Sequence, residues 1–232
     1  MATGIHGFTA GSTRPRRSFG SSPKRWPRLS IEPIALADSI ALDPHKWLYV
    51  PVEAGLVLIR DGHAMRDTFS LVPPYLRNDG NTDEVFGLPW FSEYGFQQTR
   101  GFRALKVWMS LKYHGLSGYA EAIARDIALA EHLASLVDVS EDLQPLAAGL
   151  SIVCFRYAPP YLRGDAARLD ALNKTLLETL QRRGQVFLSS TTLDGTFVLR
   201  ACIINPRTQP EDLEYLVALV RELGAQLAGG GV

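Results

Sequence analysis

The residues best suited to chemistry are residues 43–47, which read DPHKW and follow a short apolar run. That run, SIAL at residues 39–42, predicts a strand buried on both faces. Lys46, between His45 and Trp47, would then be partly desolvated. Desolvation favours the neutral amine, which is the nucleophile that forms Schiff bases. The alternative is a solvated lysine on the surface, and the residues alone leave both readings open.

The composition limits the classes of function. The chain has 232 residues, enough for one large domain or two small ones, and its 24 basic and 24 acidic residues balance. Because the charges balance, we expect no nucleic-acid partner. Because no run of 18 apolar residues occurs, we expect no segment that spans a membrane. The two cysteines and five histidines lack ligand spacing, which predicts no metal site. Two free thiols suit a reducing compartment, so we expect a cytoplasmic location.

Three segments differ in composition. Residues 1–33 are rich in arginine, serine, glycine and proline, carry a single acidic residue, Glu32, and predict a disordered stretch. This stretch could be a transit-like peptide, a linker, or a sequence foreign to the domain that follows. Residues 34–140 read as strands and helices around a long irregular stretch at 66–98. Residues 141–232 read as a small α+β domain.

Hydrophobic periodicity and turn residues predict the remaining elements. We expect strands at residues 55–60, 152–157, 185–190 and 196–204, and helices at about 100–115, 123–137 and 169–183. A last helix should open with a capping box at residues 208–211. Gly115 and Gly184 are expected to mark helix ends.

Four sequence landmarks occur in order along the chain. They are the segment from Asp38 to Trp47, the triplet at residues 74–76, the run TRGFRALKVW at residues 99–108, and the segment from Val198 to Thr208. Together they resemble the group II pyridoxal-phosphate-dependent decarboxylases, a family that includes aromatic-L-amino-acid, histidine and glutamate decarboxylases. Gly101 stands where the family carries an arginine. The resemblance extends from about residue 36 to the end of the chain.

The resemblance implies an α/β fold class. Residues 34–140 would be the end of a fold-type I large domain, with an incomplete, mostly parallel sheet, the cofactor lysine and the catalytic loop. Residues 141–232 would form the small α+β C-terminal domain. The implied cofactor is pyridoxal 5'-phosphate, and the implied partners are an amino-acid substrate and a second copy of the chain in a homodimer.

The resemblance also implies roles for four residues. Lys46 would bind pyridoxal phosphate covalently as a Schiff base. His45 would hold the cofactor phosphate, or would be an interior histidine with satisfied hydrogen bonds. Tyr75 would give a proton to the substrate Cα, or would be a loop aromatic residue that packs on the surface. Arg200 would bind the substrate carboxylate through its planar fork, or would form a structural ion pair.

The implied function is decarboxylation of an L-amino acid, with an aromatic substrate favoured. Family members are longer, and their upstream part carries an aspartate that pairs with the pyridinium nitrogen, whereas residues 1–35 contain no aspartate. The alternative is therefore a truncated, inactive remnant that dimerises or binds a partner. A third reading is aldehyde synthesis on the same cofactor, which the family associates with phenylalanine at the position of Tyr75.

Overall fold

The computed structural model describes residues 32–71, 84–85 and 88–230. These residues form two compact units, one ending at Tyr113 and the other beginning at His114. The division lies inside a long helix and precedes residue 140, where the sequence predicts a domain boundary. That boundary, and the three readings of residues 1–33 as a transit-like peptide, a linker or a foreign sequence, remain predictions.

The first unit contains a two-stranded antiparallel sheet made of β1 (Ser39–Leu42) and β2 (Leu56–Ile59). Both strands lie where the apolar runs predict them. The burial predicted for β1 is wrong, however, because three of its four residues are exposed, and in the paired strand β2 the residues Val57 and Leu58 are each 51% exposed. Successive side chains of a strand point to opposite faces, so neither face of this sheet is covered by the described residues.

The other elements of the first unit are short. Helix α1 (Gly62–Phe69) follows β2, and a 3-10 helix (Glu32–Leu36) precedes β1. The two-residue strands β3 (Glu84–Val85) and β4 (Leu88–Pro89) pair with each other and lead into a second 3-10 helix, Phe91–Tyr94.

A long helix, α2 (Arg103–Asp138), crosses the division between the units. Its regular geometry is interrupted at Gly115, where φ is +68° and ψ is 172°. Glycine adopts positive φ without the steric cost that a Cβ imposes, so the sequence breaks the helix where it was predicted to end. After the break, Leu129, Leu133 and Val137 are buried and recur every four residues, as expected for one face of a helix.

The second unit is built on a four-stranded antiparallel sheet with the strand order β5-β6-β8-β7. The strands are β5 (Leu143–Gly149), β6 (Ile152–Tyr157), β7 (Ser189–Leu193) and β8 (Thr196–Cys202). Because every strand pair of the described residues is antiparallel, the mostly parallel sheet that the resemblance implies is not formed by these residues.

Two strand predictions need correction in the second unit. Strand β7 begins at Ser189, four residues after the predicted start at Gln185. Strand β5 was not predicted, because Pro145 reads as the end of an element rather than as part of a strand. Proline is tolerated there since β5 is an edge strand and its register shifts between Pro145 and Ala147.

The two remaining helices have well-defined ends. Helix α3 (Ala166–Arg183) starts with Asp165, whose side chain accepts from the N–H of Arg168 at 2.9 Å, and ends at the left-handed Gly184. Helix α4 spans Pro210–Gly229. Its capping box is formed by Gln209 and Asp212, one position later than the predicted residues 208–211.

Helices α3 and α4 cover β6 and β8 and form the core of the second unit. The core side chains are apolar and almost fully buried, and include Phe155, Leu176, Leu180, Leu199, Val220 and Leu223. Among the buried polar side chains is Asn173 of α3, which is fully buried. Its Oδ1 accepts from the N–H of Tyr157 at 2.9 Å, and its Nδ2 donates to the carbonyl oxygens of Tyr157 and Leu169 at 2.9 and 2.8 Å. The amide therefore joins α3 to β6 with no unmet hydrogen bond.

Gly224 on α4 allows a close approach to Tyr157. A Cβ added at Gly224 would lie 2.5 Å from Cγ of Tyr157. We expect Gly224→Ala to destabilise the protein by about 1–3 kcal/mol, because the helix or the ring must shift. The free energy of unfolding in urea measures the effect. Gly229→Ala is the matched control, because nothing lies within 4 Å of its added Cβ, and equal stability of the two variants would contradict the prediction.

Candidate cofactor-lysine site

Residues 43–50 form a series of tight turns directly after β1. The N–H of Lys46 donates to the carbonyl oxygen of Asp43 at 2.9 Å, and the N–H of Val50 donates to that of Pro44 at 3.1 Å. Val50, at the end of this segment, is buried with 2% of its surface exposed, so the end of the turn is fixed within the first unit. Proline at position 44 fixes φ within the turn.

The side chain of Lys46 forms an ion pair with Asp43, three residues earlier, rather than standing alone. The lysine side chain is 66% exposed, so the desolvation predicted from the sequence is wrong for the described residues. The hydrogen bond from Lys46 and its positive charge lower the pKa of Asp43. The sequence placed Asp43 beside Lys46 but gave it no role, although a separation of three residues is the spacing of a turn.

His45 is held by the backbone of a later residue. Its Nδ1 lies 2.7 Å from the carbonyl oxygen of Ala54 and 3.2 Å from the nitrogen of Ala54. The ring is half-buried. This contact fixes the orientation of the imidazole and leaves Nε2 as the nitrogen that can serve a further partner. The geometry is compatible with both roles predicted for His45. Nδ1 has a partner inside the protein, as in an interior histidine, and Nε2 can bind a ligand.

The other two predicted site residues do not lie in the described part of the first unit. Tyr75 is outside the described residues. Arg200 is on β8 in the second unit, where it is half-buried. Its Nη1 donates to Oγ of Ser189 at 3.4 Å, and within the described ranges it has no carboxylate partner at ion-pair distance.

Cys154 is a neighbour of Arg200 that the sequence analysis did not connect with the site. The two residues face each other in the register of β6 and β8. Burial raises the pKa of the Cys154 thiol, while the positive charge of Arg200 opposes that rise. The pairing of Cys154 with Arg200 joins residues that are far apart in the sequence, and residue types alone do not reveal such a contact.

Comparison with known proteins identifies the family. The model of the pyridoxal-dependent decarboxylase conserved domain matches residues 22–158, more than half of the chain. The chain belongs to this family. It is 37% identical to an aromatic-L-amino-acid decarboxylase of Bacillus atrophaeus over 85% of the chain and 41% of that protein. It is 30% identical to tyrosine decarboxylase 4 of Petroselinum crispum over 76% of the chain and 35% of that protein.

Solved structures show the same fold. The crystal structure of Oryza sativa TDC with PLP and tryptamine has a TM-score of 0.77 at 24% identity, over 85% of this chain and 40% of that chain. The Catharanthus roseus tryptophan decarboxylase in complex with L-tryptophan has a TM-score of 0.73 at 25% identity, over the same shares of the two chains. The chain thus spans about two fifths of the length of these relatives.

These comparisons confirm the predicted family and the predicted fold class, the C-terminal part of the fold-type I architecture. The predicted cofactor, pyridoxal phosphate, is confirmed at the level of the family. The family match begins at residue 22, within the basic segment at residues 1–33. In the described ranges, no helix has the length and apolar character needed to cross a membrane, and no group of side chains could hold a metal ion.

The ion pair between Asp43 and Lys46 has a pH dependence that can be measured. Because the pKa of Asp43 is lowered in the folded state, the pair stabilises the fold above the unfolded-state value of about 3.9. That stabilisation is lost as the pH falls through the lowered pKa. We expect Lys46→Met to return the pKa of Asp43 towards its ordinary value in a carboxyl ¹³C NMR titration. Lys106→Met is the control, and an unchanged Asp43 midpoint in Lys46→Met would contradict the assignment.

Proposed function

We propose that the chain carries the cofactor-lysine part of a pyridoxal-phosphate-dependent carboxy-lyase that acts on an L-amino acid, with an aromatic substrate favoured. The observation that carries this proposal is the family match together with an accessible lysine in the segment DPHKW. The names of the relatives, aromatic-L-amino-acid decarboxylase and tyrosine decarboxylase, support the aromatic substrate.

The residues of the first unit fit covalent attachment of the cofactor. Lys46 extends its amine into solvent, where an aldehyde carbon can reach Nζ once the ion pair with Asp43 opens. His45 is held at Nδ1 by Ala54, so its Nε2 can face a phosphate oxygen. Lys46 and His45 are therefore the residues that would hold pyridoxal phosphate in this chain.

The chemistry divides between the cofactor and the protein. When bound, pyridoxal phosphate supplies an electron sink for the electron pair left on the substrate Cα when carbon dioxide leaves. Lys46 would anchor the cofactor through Nζ and would be released when the substrate amine replaces it. Tyr75 would give a proton to Cα after the carboxylate departs. Arg200 would bind a substrate carboxylate, in keeping with its half-buried guanidinium that lacks a carboxylate partner in the described part of the chain.

We further propose that the active form is a homodimer in a reducing compartment such as the cytoplasm. The first part of α2 exposes large apolar side chains: Phe102 lies just before it, and Trp108, 59% exposed, and Met109 lie within it. Contiguous exposed apolar surface marks interaction sites, and a second copy is the partner we propose. Both cysteines, Cys154 and Cys202, are free, in keeping with a reducing environment.

A second candidate function is favoured by a separate observation. The strand pair β1–β2 is uncovered on both faces within the described residues, and Lys46 beside it is solvated. A chain of this kind could be an inactive remnant of a decarboxylase that serves as a dimerisation or interaction module.

Capture of the cofactor separates the two candidates. We would mix the protein with pyridoxal phosphate, reduce with borohydride and map the adducts by peptide mass spectrometry. If the chain binds the cofactor as an enzyme, we expect one adduct per chain on Lys46 in the parental protein and no adduct in Lys46→Arg. The control Lys106→Arg should be labelled at Lys46 as fully as the parental protein. Adducts scattered over surface lysines, or their absence, would favour the remnant.

The proposed role of Tyr75 gives a further prediction. In protein that captures the cofactor, we expect Tyr75→Phe to lower kcat for formation of the amine product from L-tyrosine or L-tryptophan by about 10²- to 10⁴-fold, because the proton donor to Cα is lost. Capture at Lys46 should be unaffected. Tyr215→Phe, which removes an exposed hydroxyl on α4, is the control. An unchanged kcat in Tyr75→Phe would refute the role.

A further inference from the structure

An ion pair in the first unit joins two residues, Glu53 and Arg103, that are 50 positions apart in the sequence. Both Nε and Nη2 of Arg103 donate to Oε1 of Glu53, the former at 2.9 Å. Arg103 is the first residue of α2, and Glu53 lies in the loop that leads from the turns at residues 43–50 to β2. The pair therefore ties this loop to the start of α2.

The position of the pair matters more than its energy. The side chain of Glu53 is 65% exposed, and an exposed ion pair contributes little to the free energy of unfolding. The next residue, Ala54, is 1% exposed, and two of its backbone atoms contact the ring of His45. The N–H of Ala54 belongs to the peptide group that joins it to Glu53. An anchored Glu53 therefore fixes the peptide group that faces the imidazole.

The backbone of Ala54 presents both an acceptor and a donor to His45. Its carbonyl oxygen lies 2.7 Å from Nδ1, and its nitrogen lies 3.2 Å from the same atom. Nδ1 carries a proton in the first contact and lacks one in the second, so the two contacts select different tautomers of the neutral ring. A small displacement of Ala54 would change the balance between them. It would thereby change both the direction of Nε2 and whether Nε2 carries a proton.

The charges around His45 are arranged in pairs. The hydrogen bond from Arg103 and its positive charge lower the pKa of Glu53. The charge that His45 carries when protonated lowers the pKa of both Glu53 and Asp43, so both carboxylates lie within electrostatic reach of the ring. Asp43 is paired with Lys46, and Glu53 with Arg103. An unpaired carboxylate at this place would repel an incoming phosphate, and Arg103 removes that repulsion for Glu53.

We propose that Glu53 and Arg103 are positioning residues for His45, acting through the backbone of Ala54. Their ion pair holds Ala54 where its peptide groups fix the imidazole, so that Nε2 is presented to a phosphate oxygen. The phosphate part of this inference rests on the proposed function, in which His45 holds the phosphate of the cofactor. The fixing of the ring is a separate claim about the first unit and can be tested without the cofactor.

The first test observes the ring of His45 in the protein without cofactor. Long-range ¹H–¹⁵N NMR spectra are recorded in alkaline buffer, in which the imidazole is neutral and its nitrogen shifts report the tautomer. We expect Glu53→Gln and Arg103→Gln to move both ring nitrogens towards the averaged shifts of a mobile imidazole. Hydrogen exchange of the Ala54 N–H should rise by about fivefold or more, because local opening becomes easier. Glu178→Gln is the matched control, because Glu178 also forms an exposed ion pair with an arginine, on α3.

Helix α1, in the same unit, is the internal control for hydrogen exchange. Parental ring shifts together with parental exchange at Ala54 in both variants would overturn the positioning role. An equal rise in exchange across α1 would also overturn it, because the substitutions would then act by general destabilisation of the first unit.

The second test isolates the phosphate by comparing pyridoxal phosphate with pyridoxal, which lacks that group. Capture by borohydride gives the concentration of each aldehyde that half-saturates Lys46, and the value for pyridoxal is divided by the value for pyridoxal phosphate. We expect this ratio to fall by about tenfold in Glu53→Gln and in Arg103→Gln, because a charge-assisted hydrogen bond to the phosphate is weakened. A substitution that only loosened the structure would weaken capture of both aldehydes alike and leave the ratio unchanged. Glu178→Gln should keep the parental ratio.

The dependence on His45 is the decisive comparison. In a His45→Ala background, Glu53→Gln should have no further effect on the ratio, because the residue that it positions is gone. Additive effects, or an unchanged ratio in Glu53→Gln, would overturn the phosphate part of the inference. Failure of the parental protein to capture pyridoxal phosphate at Lys46 would refute the proposed function and the phosphate part with it. The ring shifts and the exchange at Ala54 would still decide whether the ion pair positions His45.

Discussion

The packing of α3 and α4 on β6 and β8 is the constraint on which the second unit depends. Apolar side chains from both layers, such as Phe155 and Leu176, are removed almost completely from water there. Burial of that kind is the dominant favourable contribution to folding. The amide of Asn173, a polar group inside this core, has partners for its donors and its acceptor. The second unit therefore contains a hydrophobic core of its own.

The first unit is organised differently, and the difference concerns the chemistry. Its described residues bury few large side chains, and the positions of its functional groups are set by local hydrogen bonds and ion pairs. Lys46 meets Asp43 across a turn, and His45 is fixed by the backbone of Ala54. Such contacts orient side chains but do not remove them from water, and an exposed ion pair contributes little stability. The catalytic properties that the family resemblance implies require an environment that these residues do not build themselves.

Sequence patterns predicted the parts of this structure that depend on local rules. The strand β6, the break at Gly115 and the helix end at Gly184 follow from apolar runs and from the freedom of glycine at positive φ. The edge strand β5 was missed because a proline within a strand contradicts local propensity. The solvation of Lys46 could not be predicted either, since burial depends on which chain segments cover a residue. The buried Glu93 accepts hydrogen bonds from Arg66 and Ser70, which lie 27 and 23 positions earlier, and contacts at such separations leave no local signal in the sequence.

The proline in β5 has a consequence for how copies of the chain can associate. An edge strand exposes unpaired N–H and C=O groups that invite a strand from another molecule. At this edge Pro145 offers no N–H, and the register shift beside it bends the strand out of the regular ladder. Continuous sheet extension from one copy to the next is thereby blocked on this side of the second unit. A second copy that approached this edge would therefore have to use side-chain surfaces, where shape and apolar contact rather than backbone pairing select the partner.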